Sequence, residues 1–133
     1  MNIILESVIL TLVLAELINI GLKSWKAEKI VWNRLFMEGG MPSRHAALVS
    51  SLTLSIGLVE GFTSSLFFVA LFLSLIVIRD AMGVRHNVDL VVSKLNTLIK
   101  KKEKLTVVSG HTPAQVFFGI VLGFTVVLLL YYL

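Results

Sequence analysis

Four apolar stretches, at residues 3–22, 46–61, 62–78 and 114–133, take up more than half of the chain's 133 residues. A helix that crosses a bilayer needs about 20 predominantly apolar residues, with about 17 at the lower limit. The first and last stretches meet that length, and the middle two sit near its lower bound. Inside lipid every backbone N–H and C=O must be bonded within the protein, so these segments are expected to be helices. A β-barrel would need many alternating segments, and this chain is too short and does not alternate. The bulk numbers agree. The chain is 56% apolar with a mean hydropathy of +0.92, whereas soluble domains are about 45–50% apolar. The expected fold is an all-α polytopic membrane helix bundle forming a single membrane domain over residues 1–133. Gly61, Thr63 and Ser64 supply turn chemistry for a tight hairpin between the middle two stretches. The first stretch follows no basic segment, contains Glu6 and Glu16 and lacks a small-residue cleavage site, so it reads as a retained span rather than a signal peptide.

The charges give this bundle an orientation. All twelve Lys and Arg residues lie between positions 23 and 104. Lys23, Lys26, Lys29, Arg34 and Arg44 belong to or border the first long loop. Arg79, Arg85, Lys94, Lys100, Lys101, Lys102 and Lys104 belong to or border the second. The hairpin tip and both termini carry none. The positive-inside rule therefore predicts both long loops on the cytoplasmic side of the cell membrane and both termini outside. A formal charge of +4 concentrated in loops favours anionic headgroups. Nucleic acid is not an expected partner, because the basic residues are tethered to apolar spans and no aromatic stacking platform accompanies them. There is no cysteine, hence neither a disulfide framework nor a thiolate metal site.

Within the second loop, Val88, Val91, Val92, Leu95, Leu98 and Ile99 recur at helical spacing, with polar residues between them. This pattern predicts an amphipathic interfacial helix ending at Lys100-Lys101-Lys102, in addition to about four transmembrane helices.

Two histidines open spans that start on the same side. His45 follows Gly39-Gly40-Met41-Pro42-Ser43-Arg44, and His111 lies between Ser109-Gly110 and Thr112-Pro113. Helix N-termini present unpaired N–H groups and partial positive charge, which suits phosphate. Pro42 and Pro113 fit a first helical turn. Ser43 and Thr112 can cap a helix or donate to an oxyanion, and the Arg44 guanidinium matches phosphate oxygens. Two imidazoles among such groups suit phosphoryl transfer without a metal, one attacking phosphorus and the other protonating the leaving oxygen. They could instead be two zinc ligands, although no third ligand is evident nearby. Glu16, Asn19 and Lys23 share one helical face, so Glu16 is expected to pair within the bundle. Gly119 with Gly123, and Gly57 with Gly61, make small faces for close helix contact, either inside one chain or in a homo-oligomer.

At these residues the chain resembles the type 2 phosphatidic acid phosphatase and vanadium haloperoxidase superfamily, and specifically its divergent branch of short membrane proteins. Gly39 to His45 is similar to the Pro-Ser-x-His motif. Asp80-Ala81-Met82-Gly83-Val84-Arg85 is similar to the divergent branch's Asp-Ala-x-Gly-Val-Arg element. Gly110-His111-Thr112-Pro113, continued by Val116, Gly119, Leu122 and Gly123, is similar to its last motif. The resemblance covers about residues 14 to 124. It implies that His111 forms a phosphohistidine, that His45 is the general acid, and that Ser43, Arg44 and Arg85 are phosphate ligands, with Thr112 beside them. No cofactor is implied.

The chain also departs from the pattern. The superfamily places an acid four residues after the nucleophilic histidine, where this chain has Gln115, able to accept an N–H bond without charge. Asp80 and Asp89 are the acids that could take over its role, although Asp80 could instead pair with Arg79 and Arg85. Leu105 stands where an arginine is usual. The first superfamily motif is absent, with Asn19 or Lys23 near the position of a first-helix lysine. The resemblance implies a lipid phosphate phosphatase, and the charge pattern puts its site at the cytoplasmic face, with a phosphatidylglycerophosphate-like or polyprenyl phosphate monoester as the expected substrate. The alternative is a catalytically weak relative that binds anionic lipid or a partner membrane protein.

Overall fold

The computed structural model describes residues 2–27, 40–99 and 111–133, without the side chains of 26, 27, 84–86 and 89. These residues form five helices: α1 (Ile3–Ala27), α2 (Arg44–Glu60), α3 (Ser65–Met82), α4 (Val84–Leu98) and α5 (Pro113–Tyr132). The protein is an all-α membrane bundle. By length and composition, α1, α3 and α5 can each cross a bilayer. The apolar runs understate two of these helices. α1 continues past Lys23, and α3 carries Arg79 and Asp80 in its last turn, because a helix ends where its hydrogen bonds do, not where its apolar residues do.

α2 differs in kind. It has 17 residues, about 25 Å at about 1.5 Å per residue, and it is flanked by α1, α3 and α5. Apart from Val49 and Ile56, its buried positions are small or hydroxylic: Ala46, Ala47, Ser50, Ser51, Thr53, Ser55 and Gly57. The large apolar side chains face outward instead, including Leu5, Ile9 and Leu17 of α1, Phe72 and Ile76 of α3, and Phe117 and Leu129 of α5. The core therefore mixes small apolar residues with hydroxyls and the periphery is greasy, unlike a water-soluble bundle. Lipid supplies no hydrophobic drive between helices, so small residues and interhelical hydrogen bonds do the joining.

The Thr53 and Ser74 hydroxyls lie 2.6 Å apart across α2 and α3. The Val49 and Ala70 carbonyl oxygens both lie within hydrogen-bond distance of each hydroxyl and accept whichever proton is not shared between them. Gly119 and Gly123 of α5 face Ser43–Ala47 and Ala47–Ser51 of α2, so close that a Cβ at either would overlap α2 backbone. In both contacts the numbers rise together, so α2 and α5 run parallel and begin at the same end. α1 and α3 run antiparallel to α2.

The hairpin between α2 and α3 is the expected one. Gly61 takes φ +94° at the end of α2, a region open to glycine. The Ser64 hydroxyl caps α3 by accepting from Phe67 N at 3.2 Å. α4 follows α3 directly after Gly83 and packs against it. Its apolar positions Val88, Val91, Leu95 and Leu98 are exposed, consistent with the amphipathic pattern. The expected Lys100–Lys102 run, Gly39, Gly110 and Leu105 lie outside the described residues.

Candidate functional site

Parallel packing of α2 and α5 brings their two N-termini together. Ser43 is fully buried and caps α2, its hydroxyl accepting from Ala46 N at 3.4 Å. Its own backbone N–H donates to Gln115 O at 2.9 Å, so the cap of one helix is bonded to the first turn of the other. Pro113 opens α5 as its first residue. Pro42 stands one residue ahead of the α2 cap and not inside the first turn, because Ser43 takes the capping position. The Met41–Pro42 peptide is cis.

The histidines meet at this junction. The ring centroids of His45 and His111 are 6.1 Å apart with their planes at 60°. His45 is exposed and His111 is buried. The His111 backbone N–H donates to Ala81 O at 3.2 Å, which ties the start of α5 to the last turn of α3. Asp80, the residue before that carbonyl, is exposed. The second motif is thus brought beside the third through backbone. Arg85 lies in the first turn of α4, and its side chain is outside the described set, as are those of His86 and Asp89.

Thr112 caps α5. Its hydroxyl accepts from Gln115 N at 3.3 Å, and Gln115 Oε1 accepts from Thr112 N at 2.9 Å. This reciprocal capping box satisfies two otherwise orphaned donors. The Gln115 side chain therefore supports the turn that carries His111, through Thr112.

Arg44 is the first residue of α2, and its Nη1 donates to Glu16 Oε2 on α1 at 2.8 Å. One turn further along α1, Asn19 Nδ2 donates to Pro42 O at 3.1 Å as well as to Ala15 O. Gly40 lies against this amide so closely that a Cβ there would overlap Asn19 Oδ1. The pairing of Glu16 within the bundle was legible from its place inside a span. Its particular partner, 28 residues away, was not. Arg44, His45, Leu12 and Leu48 line a cavity of about 290 Å³, charged at the α2 N-terminus and apolar one turn deeper.

In-line attack needs about 3–3.5 Å from nucleophile to reacting atom, and a general acid needs about 2.6–3.2 Å to the oxygen that it protonates. The 6.1 Å between the ring centroids is about the length of these two reaches laid end to end, so one phosphoryl group between the rings could contact both. Among the described residues no three His, Asp or Glu side chains converge to hold a metal ion.

The model of the Divergent PAP2 family matches residues 1–126. YuiD, an uncharacterized membrane protein of Bacillus subtilis (strain 168), is 30% identical over 150 residues, covering 98% of this chain and 95% of its own length. No solved structure matches the chain.

Proposed function

The chain belongs to the Divergent PAP2 family, and on that premise we propose that it is an integral membrane phosphatase for lipid phosphate monoesters that works through a phosphohistidine at the cytoplasmic face. The observation that carries this reading is the 6.1 Å separation of the His45 and His111 rings at the joined N-termini of two parallel helices. An imidazole nitrogen of His111 attacks phosphorus. The bond from phosphorus to the lipid alcohol oxygen breaks, and His45 N–H gives that oxygen its proton. The neutral His45 then takes a proton from water as the water attacks phosphorus, which releases phosphate and returns His111 to its starting state. Arg44, Arg85 and the helix N-termini hold the phosphate oxygens. Thr112 and Ser43 fix the turns that carry the two rings. Asp80 is the acid nearest in sequence to the carbonyl that holds His111.

The charge pattern supports the cytoplasmic side, and with it a phosphatidylglycerophosphate-like or polyprenyl phosphate substrate presented in the inner leaflet. Labelling of single cysteines introduced at positions 44 and 101 from one side of the membrane tests that placement, which fails if the two react from opposite sides.

A second reading rests on Gln115. Its Oε1 is engaged by Thr112 N–H, so the position that supplies an acid in the wider superfamily supplies a neutral cap here. That favours a weakly active relative that binds anionic lipid or a partner membrane protein. Phosphate release from detergent-solubilised phosphatidylglycerophosphate separates the two. The enzyme reading expects turnover by the wild type and background rates for His111→Ala. Equal background rates in both would leave the binding reading.

A further inference from the structure

Glu16 belongs to none of the three motifs, yet it contacts the residue beside the first site histidine. We infer that Glu16 is a positioning residue of the site: its carboxylate fixes the Arg44 guanidinium at the cavity rim, where Arg44 takes the substrate's phosphate. This rests on the phosphatase reading for the identity of the anion.

Arg44 stands at the first position of α2, where the helix macrodipole opposes a cation. The first turn of α2 contains no acid to offset it. A residue there for helix stability alone would be an acid. The compensating carboxylate comes from α1 instead, at 2.8 Å, with both side chains 23% exposed. A charge facing a bilayer is held by a counter-ion, so Glu16 holds the Arg44 guanidinium in place without an acid on α2 that would repel a phosphate.

The placement adds to this. Leu12, one turn before Glu16, and Leu48, one turn after Arg44, line the same cavity as Arg44 and His45. The ion pair therefore stands at the polar end of a slot whose deeper part is apolar. α1 grips the motif segment at two points, Glu16 at Arg44 and Asn19 at Pro42 O. A guanidinium carries five donors in a fixed fork. A carboxylate on Nη1 sets the plane of that fork.

The test compares Glu16→Gln, Glu16→Asp and the exchanged pair Glu16→Arg with Arg44→Glu. Each is measured for lipid phosphate hydrolysis, orthovanadate binding and thermal unfolding in detergent. Glu16→Gln is expected to raise KM and weaken vanadate binding about tenfold, with kcat within about threefold. Glu16→Asp should recover part of both. The exchanged pair should recover the unfolding temperature but neither KM nor vanadate affinity, because it places a carboxylate where the phosphate binds. If Glu16→Gln lowers only the unfolding temperature, or the exchanged pair restores KM, the inference is overturned while the phosphatase reading stands. If the wild type binds vanadate without hydrolysing lipid phosphates, and Glu16→Gln weakens that binding, the phosphatase reading fails while the positioning role holds. A wild type that neither binds nor hydrolyses overturns both.

Discussion

The site depends on how closely α5 lies against α2, and Gly119→Ala probes that contact directly. A Cβ at Gly119 would meet Ser43 O at 2.5 Å, Ala46 Cβ at 3.0 Å and Ala47 N at 3.2 Å. Two of these are backbone atoms of the α2 cap and first turn, which cannot rotate away. Ordinary contact begins at 3.4 Å, so relief requires α5 to retreat by about 0.9 Å, the kind of overpacking that costs about 1–3 kcal/mol. Alanine returns about 0.8–1 kcal/mol of helix propensity over glycine. The net destabilisation is therefore at most about 2 kcal/mol. The same retreat would stretch the Ser43 N–H to Gln115 O bond from its 2.9 Å to beyond the range of about 2.7–3.2 Å for such bonds. It would also separate the two rings by a comparable amount. A misplacement of about 1 Å can cost about 10²-fold in rate, so kcat for phosphate release is expected to fall about 10- to 100-fold while most of the protein stays folded in detergent. Phosphate release and thermal unfolding, measured on the same preparation, read the two effects separately. An unchanged kcat in a folded Gly119→Ala protein would refute the claim that this helix contact sets the ring spacing.

Other substitutions test neighbouring parts of the same argument. Gly21→Ala, on α1 where an added Cβ meets nothing within 4 Å, should stabilise the protein by about 0.5–1 kcal/mol, with kcat unchanged in the same assay. Gln115→Glu keeps the capping box and adds an acid at a helix N-terminus, so the unfolding temperature should rise by the equivalent of about 0.3–1 kcal/mol. Turnover should stay within about threefold, and a larger gain would mean that this side chain acts on His111 itself. Asn19→Ala strands the buried Pro42 carbonyl at a cost of about 1–3 kcal/mol. In a double-mutant cycle with Gly40→Ala the combined loss should be smaller than the two single losses added, because removing the Asn19 amide also removes the overlap. Thr53→Val severs the hydroxyl contact between α2 and α3 and should cost about 0.6 kcal/mol, up to about 1.7, read by unfolding in detergent with kcat unaffected.

Much of this architecture was legible because it depends on local pattern. The lengths of the apolar runs set the helices, Gly61 and Ser64 set the hairpin, and Thr112 with Gln115 and Pro113 spelled out a helix start. The special place of α2 was less legible. Its run of Ser50, Ser51, Thr53 and Ser55 is less apolar than the other spans, but only the packing of three neighbours shows that those hydroxyls face protein. The convergence of His45 and His111 was expected from their shared side. Their closeness depends on Gly119 and Gly123 meeting α2, a contact between segments far apart in the chain. The partnership of Glu16 with Arg44 had no local signal at all, since a carboxylate in a span announces only that some partner exists.

The shielding of α2 also bears on how the protein reaches its membrane. A segment this rich in hydroxyls gains little from acyl chains by itself, and most of what stabilises it is supplied by α1, α3 and α5. Only the short Gly61–Ser64 turn separates it from α3, one of its hydrogen-bonding neighbours and a strongly apolar helix in its own right. Insertion therefore favours delivery of the two as a single re-entering unit, with the greasier α3 drawing α2 across, and α5, made after them, closing the bundle and bringing its histidine to the one already waiting.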